Sequence, residues 1–432
     1  MKTKLKPVLR VFVAIPTIGV GIAWILSHNP QSIFFKLACA LVIFGAILVW
    51  QIGRKYTKGI FSIAIIMWAY PLGELVLHLK SPPQYATGYN KESAVPDPVR
   101  GYRWTAKEIR YFKTADGETV FDNYFTTNEQ GWVMNQDYQQ QKPKAVTKRW
   151  MLFGDSFSTG IMLDTNLPNR IQENMDRDTL FHSEMYSFAV DGGGIVNWYQ
   201  TFFKEIIPNY EFDGVVIAVF EDNLYRDLMV QQIKPGNSFL GRTDSLDWSV
   251  EVPDFGHFAS FDRRRLTYDD ETINRLINNP PKAFFNWPLK TWLYRLIKPS
   301  RTPINQQRTG AKNIDQLKRK LGVVKFNMLD DILTWCIQNE KQVILTSVPS
   351  RALLSNKAAG SKNWHQQEME LISENWGANY FDGYNLFEGD GPELVDKYWF
   401  KSDGHWNQMG SDLYANSLVK FIKNLSGISA YP

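Results

Sequence analysis

Three apolar runs open the chain. The first covers about residues 8–27 with Arg10 at its edge. The second covers about 33–52 with Lys36 near its start. The third covers about 59–79 and carries Glu74 and His78. A membrane-spanning helix needs about 20 mainly apolar residues. The first two runs meet that length, and the third does so with Glu74 toward one end. The pattern predicts a membrane anchor of two or three transmembrane helices over residues 1–80. Lys2, Lys4, Lys6 and Arg10 precede the first run, and Arg54, Lys55 and Lys58 separate the second from the third. The loop His28–Gln31 has no Lys or Arg. Basic loops stay cytoplasmic, so the N-terminus is expected inside. With three spans everything after Leu79 is outside, and with two the large domain faces the cytoplasm. A signal peptide does not fit, because no small-residue cleavage site follows the first run and two more runs do.

Beyond the third run the pattern turns polar. Residues 81–92 read as a linker, with Pro82 and Pro83, and a folded domain is expected over 93–425. From Arg149 short apolar runs alternate with helical periodicity. Strands are predicted at Trp150–Phe153, Glu184–Val190, Gly214–Phe220, Gln342–Val348 and Asn379–Leu386. Helices are predicted at about 167–175, from Gly194 to Ile207, and at 323–338, 364–376 and 410–424. GVVIAVF, from Gly214, is apolar throughout, as suits a strand buried on both faces. Alternating strands and helices imply an α/β fold: a mainly parallel sheet between two helical layers, with ligands at the carboxyl ends of the strands. Residues 224–322 interrupt the alternation and are rich in Arg, Asn, Pro and Trp. They read as an insert, a lid or a recognition element.

Composition narrows the chemistry. The 48 basic and 44 acidic side chains leave a net charge of +4 over 432 residues, too little to argue for nucleic acid. Two cysteines exclude a disulfide framework and any Cys-rich metal site. The six histidines are scattered without ligand spacing, and no phosphate-cradling glycine motif occurs. No metal and no cofactor are expected.

Four segments carry candidate chemistry. In LFGDSFSTG, Leu152–Gly160, an apolar strand ends in Gly-Asp-Ser and enters a helix. That boundary presents the Ser156 hydroxyl at a strand's carboxyl end, beside the positive end of a helix. A turn serine that caps the helix is the plain alternative. In SDGHWNQMG, Ser402–Gly410, His405 can act as base with Asp403 to orient it. In VDGGG, Val190–Gly194, backbone N–H groups after a strand can face an anion. In FEDNLYRD, Phe220–Asp227, the Asn223 amide can donate to an oxyanion, though a turn asparagine is the favoured reading of this residue taken alone.

In this order the segments resemble the SGNH, or GDSL-type, hydrolase superfamily over about residues 149–425. The resemblance implies a three-layer α/β/α domain with Ser156 as nucleophile and His405 as general base. It also implies an oxyanion hole of the Ser156 N–H, the Gly192 N–H and the Asn223 side chain. Two departures stand out. The family's third block usually reads Gly-x-Asn-Asp, whereas Glu221-Asp222 precede Asn223 here. The last block often reads Asp-x-x-His, and here that position is Ser402, so the acid falls to Asp403. An Asp-x-His spacing is similar to that of alginate-type polysaccharide O-acetylation proteins. Asp97-Pro98, Gly101-Tyr102-Arg103 and Thr127–Trp132 resemble a leader of bacterial envelope members.

The resemblance implies serine-dependent acyl-ester hydrolysis or, with a sugar as acceptor, O-acyl transfer. The expected substrate is an O-acylated polysaccharide or another ester. The expected place is a bacterial inner membrane with the domain on the outer face, and a polysaccharide-export or acetyl-donor protein is the membrane partner that such a place implies. A catalytically silent glycan-binding or export-scaffold protein is the competing class. Two or three spans with Glu74 as the single intramembrane acid do not make a transport pathway.

Overall fold

The computed structural model describes residues 85–91, 94–97, 99–115, 117–177, 181–226, 230–234, 237–241, 267–280, 309–355, 361–387 and 396–426. The chain divides into two units, Met1–Pro82 and Pro83–Pro432, and every described residue belongs to the second. The apolar runs expected to cross a membrane lie outside the described residues. No helix among the described residues is long and apolar enough to do so.

Five strands form the central sheet: β6 (Lys148–Phe153), β7 (Ser183–Ser187), β8 (Gly214–Val219), β11 (Gln342–Ser347) and β12 (Asn379–Asp382). Their order is β12-β11-β8-β6-β7, and every pairing is parallel. Strand periodicity assigns alternate residues to opposite faces. Met151, Phe153, Val215, Ile217 and Val219 enter one core, where α3 (Ile195–Thr201), α5 (Ile314–Leu321), α6 (Val323–Gln338) and α8 (Trp364–Trp376) pack. Trp150, Leu152, Val216 and Ala218 enter the other, with α2 (Leu167–Asp176) and α9 (Gln408–Leu425). This is the α/β/α sandwich the pattern predicts. The expected strand at 379–386 ends at Asp382 and continues as a 3-10 turn, Gly383–Phe387.

The chain leaves β6 toward β7 through α2 on one face. It returns from β7 to β8 through α3 on the other. The direction of winding therefore reverses at β6, and a reversal of this kind opens a crevice at the carboxyl ends of the strands. One-turn α1 (Ser156–Thr159) begins there.

Five further strands precede the sandwich. β1 (Tyr85–Tyr89), β4 (Glu108–Ala115) and β5 (Glu118–Thr126) make an antiparallel sheet in the order β1-β4-β5, and β2 (Ala94–Asp97) pairs with β3 (Gly101–Trp104). β1 lies inside residues 81–92, which corrects the linker expectation. Its YATGY sequence has few apolar residues, but Ala86 is buried with Phe112 of β4 and Ile273. Buried Trp104, Phe125 and Trp132 join the same core as α3. The Gln139–Gln141 triplet has a structural duty as well. Its three backbone carbonyls accept hydrogen bonds from the buried Arg149 guanidinium.

The insert is described in part. β9 (Val230–Lys234) pairs with β10 (Asn237–Gly241). Helix α4 (Asp270–Asn278) docks on the antiparallel sheet, where Asn274 and Asp270 accept from Arg110 of β4. That stretch braces the antiparallel sheet, and most of the insert read as a lid or recognition element lies outside the described residues.

Candidate active site

Ser156 is the first residue of α1, directly after β6. Gly154 permits the approach, because a Cβ there would fall 1.9 Å from Ser158 Oγ and 2.4 Å from Ser158 Cβ. Asp155 caps the helix, accepting from the Phe157 N–H, and Gly160 ends it at φ +61°. A single helical turn carries little macrodipole, so the expected contribution of a helix end at Ser156 is small. Activation of the hydroxyl rests on its neighbours.

The principal neighbour is His405. Ser156 Oγ lies 2.7 Å from His405 Nε2, across 249 residues of sequence. His405 Nδ1 lies 2.5 Å from Asp403 Oδ1. The two-residue spacing works because the Asp403 carboxylate folds back over its own turn. Its Oδ1 also accepts the His405 backbone N–H at 2.9 Å, the Asx-turn habit of aspartate. The Nδ1–H donation to a carboxylate fixes the tautomer, leaving Nε2 free to accept from Ser156. Burial alone would raise the Asp403 carboxyl. Hydrogen bonds from His405 and from Lys113 Nζ outweigh it and hold the carboxyl well below the usual carboxylate range.

Hydrophobic packing orients the imidazole. The Phe157 ring lies between Phe220 (4.8 Å, stacked), Trp406 (5.1 Å, edge-on) and His405 (4.7 Å). The loop carrying His405 is closed by the Phe400 N–H to the His405 carbonyl and by a bridge between Trp399 and Trp406.

The glycine turn after β7 also lies against the nucleophile. The Val190 N–H donates to the Gly154 carbonyl, and the Thr159 hydroxyl donates to the Asp191 carboxylate. Gly192 sits at φ +70°, a conformation that favours glycine. Gly193 N–H closes the turn onto the Val190 carbonyl at 2.7 Å. The N–H groups of Ser156 and Gly192 have no backbone acceptor among the described residues. Neither N–H is thus spent on the turn that carries it.

The third expected donor is placed elsewhere, which corrects the sequence reading. Asn223 is fully buried, and its Nδ2 donates to Asp155 Oδ2 at 2.9 Å and to the Gly193 carbonyl at 3.0 Å. Its Oδ1 accepts the Phe220 N–H at 2.5 Å. With both amide protons engaged, Asn223 ties the nucleophile turn to the glycine turn instead of facing an oxyanion. Arg226 makes the same link, from Nη1 to Asp155 Oδ2 and to the Gly193 carbonyl. Asp155 is therefore the buried hub of the site, a role that the Gly-Asp-Ser pattern alone did not disclose.

Lys113 of β4 went unnoticed in the sequence, where it sits in an ordinary alternating strand, and no signal singled it out. Its Nζ lies 2.5 Å from Asp403 Oδ2, the carboxylate oxygen that His405 does not use. Among the described residues no group of three or more His, Cys, Asp and Glu side chains is placed to hold a metal ion.

No family model matches the sequence, and no curated protein does. Among solved structures the chain is similar to the lipase/acylhydrolase from Enterococcus faecalis, at 13% identity over 65% of this chain and 97% of that one, with a TM-score of 0.33. It is similar to a psychrotrophic esterase from Pseudoalteromonas sp., at 10% identity over 65% and 99%, with a TM-score of 0.33. A GDSL-like lipase from Bacteroides thetaiotaomicron shares 10% identity over 64% and 89%, with a TM-score of 0.29.

Proposed function

We propose that the chain is a serine-dependent acyl-ester hydrolase of SGNH type. The observation that carries this is the continuous chain Ser156 Oγ–His405–Asp403, at 2.7 and 2.5 Å, at the carboxyl end of β6. His405 Nε2 takes the Ser156 proton as Oγ attacks the acyl carbonyl. The carbonyl π electrons move onto oxygen, where the Ser156 and Gly192 N–H groups receive the charge. Collapse expels the alcohol, which takes the proton back from Nε2, and leaves an acyl ester on Ser156. Water then repeats the sequence and releases the acid. Asp403 stays ionised throughout and stabilises the imidazolium.

The proposed setting is the outer face of a bacterial inner membrane, and the proposed substrate an O-acylated polysaccharide. The apolar runs within residues 1–80 and the basic residues that flank them support the setting. The same acyl-enzyme passed to a sugar hydroxyl would make an O-acyltransferase, with an acetyl-donor or export protein as membrane partner.

The test is a fluorophosphonate, read by intact mass on the full chain and on Ser156→Ala. One adduct on the wild type and none on the variant is expected. A folded wild type that takes no adduct overturns the reading. Acetate release from an acetylated polysaccharide, with and without added sugar acceptor, then distinguishes water from carbohydrate as acceptor.

A further inference from the structure

We propose that Lys113 is a positioning residue of the triad: from the antiparallel sheet it fixes the outer oxygen of Asp403 and sets how strongly that carboxylate stabilises the imidazolium of His405. The inference rests on the serine-hydrolase reading above and goes beyond it, because the residue comes from outside the parallel sandwich.

Three observations converge on it. Lys113 Nζ reaches Asp403 Oδ2 at 2.5 Å, and both side chains are largely buried, at 22% and 11% exposure. The β4–β5 pairing shifts register between Lys113 and Thr114. Irregularities of this kind re-aim a side chain and gather near active sites. Lys113 is paired across the sheet with Phe121, whose ring lies 5.5 Å from that of Phe400 in the same catalytic loop. Two neighbours on one face of β4–β5 therefore grip the loop together, one by charge and one by packing. The sheet holds the nucleophile side too, where Asn123 Nδ2 donates to the Met162 carbonyl at 2.5 Å.

The electrostatic consequence has a definite sign. A carboxylate shared with an ammonium group stabilises an adjacent imidazolium less than a free one does. Removing the Lys113 charge leaves the Asp403 carboxylate to the imidazole alone, and it frees Asp403 to turn on its remaining contacts. Other charges surround the loop but do not compete. Arg351 donates to the Phe400 and Lys401 carbonyls and pairs with Asp396, and Lys401 reaches Glu118 at 3.9 Å in the open.

The experiment measures the second-order rate of Ser156 modification by a fluorophosphonate against pH, on the full chain. Lys113→Met is expected to lower the plateau about 10- to 100-fold and to move the acidic limb upward by about one pH unit. Lys113→Arg, which keeps the charge, is expected to restore the position of the limb. Lys401→Met, which removes a nearby charge without touching Asp403, is expected to leave both unchanged. If Lys113→Met keeps the wild-type rate and limb, the role of Lys113 is overturned while the hydrolase reading stands. If Lys113→Met and Lys113→Arg lose rate alike with the limb unmoved, Lys113 is structural only and the proposal falls. A wild type that is not modified at Ser156 overturns the reading and the proposal together.

Discussion

The ring of Phe157 and the imidazole of His405 lie 4.7 Å apart, centroid to centroid, so the residue after the candidate nucleophile is also the packing surface of its base. Phe157 is 3% exposed. Truncation to Ala removes the contacts with Phe220, Trp406 and His405 at once. Loss of a buried Phe costs about 3–5 kcal/mol. Phe157→Ala is expected to lose that much unfolding free energy, read as a lower urea midpoint, and to slow phosphonylation of Ser156. Phe157→Leu should retain most of both. An unchanged midpoint in the Ala variant would show that the ring does not support the site.

Gly154→Ala places a methyl group against Ser158. The overpacking is expected to cost about 1–3 kcal/mol and to displace the turn that presents Ser156. Ser158→Gly removes the two atoms that the new methyl would overlap and leaves Ala218 Cβ at an ordinary 3.5 Å. The double variant should therefore be more stable than the sum of the singles predicts, a positive coupling measured by thermal unfolding of all four proteins. Strict additivity would mean that the strand and helix separate without strain.

Asn223 distinguishes a structural amide from an oxyanion donor. Asn223→Ala leaves Asp155 Oδ2 and the Gly193 carbonyl each short of one donor in the interior. The expected loss is about 1–3 kcal/mol of stability, visible as a lower urea midpoint. Asn223→Asp sets a second carboxylate against Asp155 and should be worse. A stability-neutral Asn223→Ala that nonetheless loses about 10²–10³ in rate would return Asn223 to the oxyanion role.

His365, unused by the proposed reaction, predicts a pH dependence of stability. It is buried and neutral, with Nδ1 3.1 Å from the Tyr384 hydroxyl, and burial lowers its pKa to about 3. An unfolded histidine takes its proton near pH 6.5. The unfolded chain thus binds the extra proton between these values. The stability that comes from a neutral His365 is complete above about pH 6.5 and is lost as pH falls toward 3. Between pH 7.5 and 4.5 this amounts to about 2–3 kcal/mol. His365→Gln should show a correspondingly smaller drop in urea midpoint over that interval. Equal drops in both proteins would remove His365 from the account.

The parallel sandwich was legible because its strands are buried on both faces. GVVIAV of β8 has no polar position to blur the reading, and helix periodicity marked α6 and α8. Ser156, His405 and Asp403 were legible because Gly-Asp-Ser and Asp-x-His stand at strand and helix boundaries. The antiparallel sheet was not, since β1 and β4 mix Tyr, Thr, Lys and Gly with few aliphatic residues and gain their burial from distant partners such as Ile273. Lys113 was illegible for the same reason: its meaning depends on Asp403, 290 residues away. Asn223 misled because an amide after a strand looks alike whether it faces a ligand or a buried aspartate.

The distances in sequence also govern when the site comes into being. The nucleophile precedes its base by 249 residues and the lysine clamp precedes the acid by 290, while synthesis proceeds from the N-terminus at about 5–20 residues per second. A nascent chain therefore carries Ser156 for many seconds before His405 exists. Contacts of such long range close late. A product of interrupted translation that stops short of His405 presents a serine with no base. The candidate triad is thereby confined to chains extended past His405.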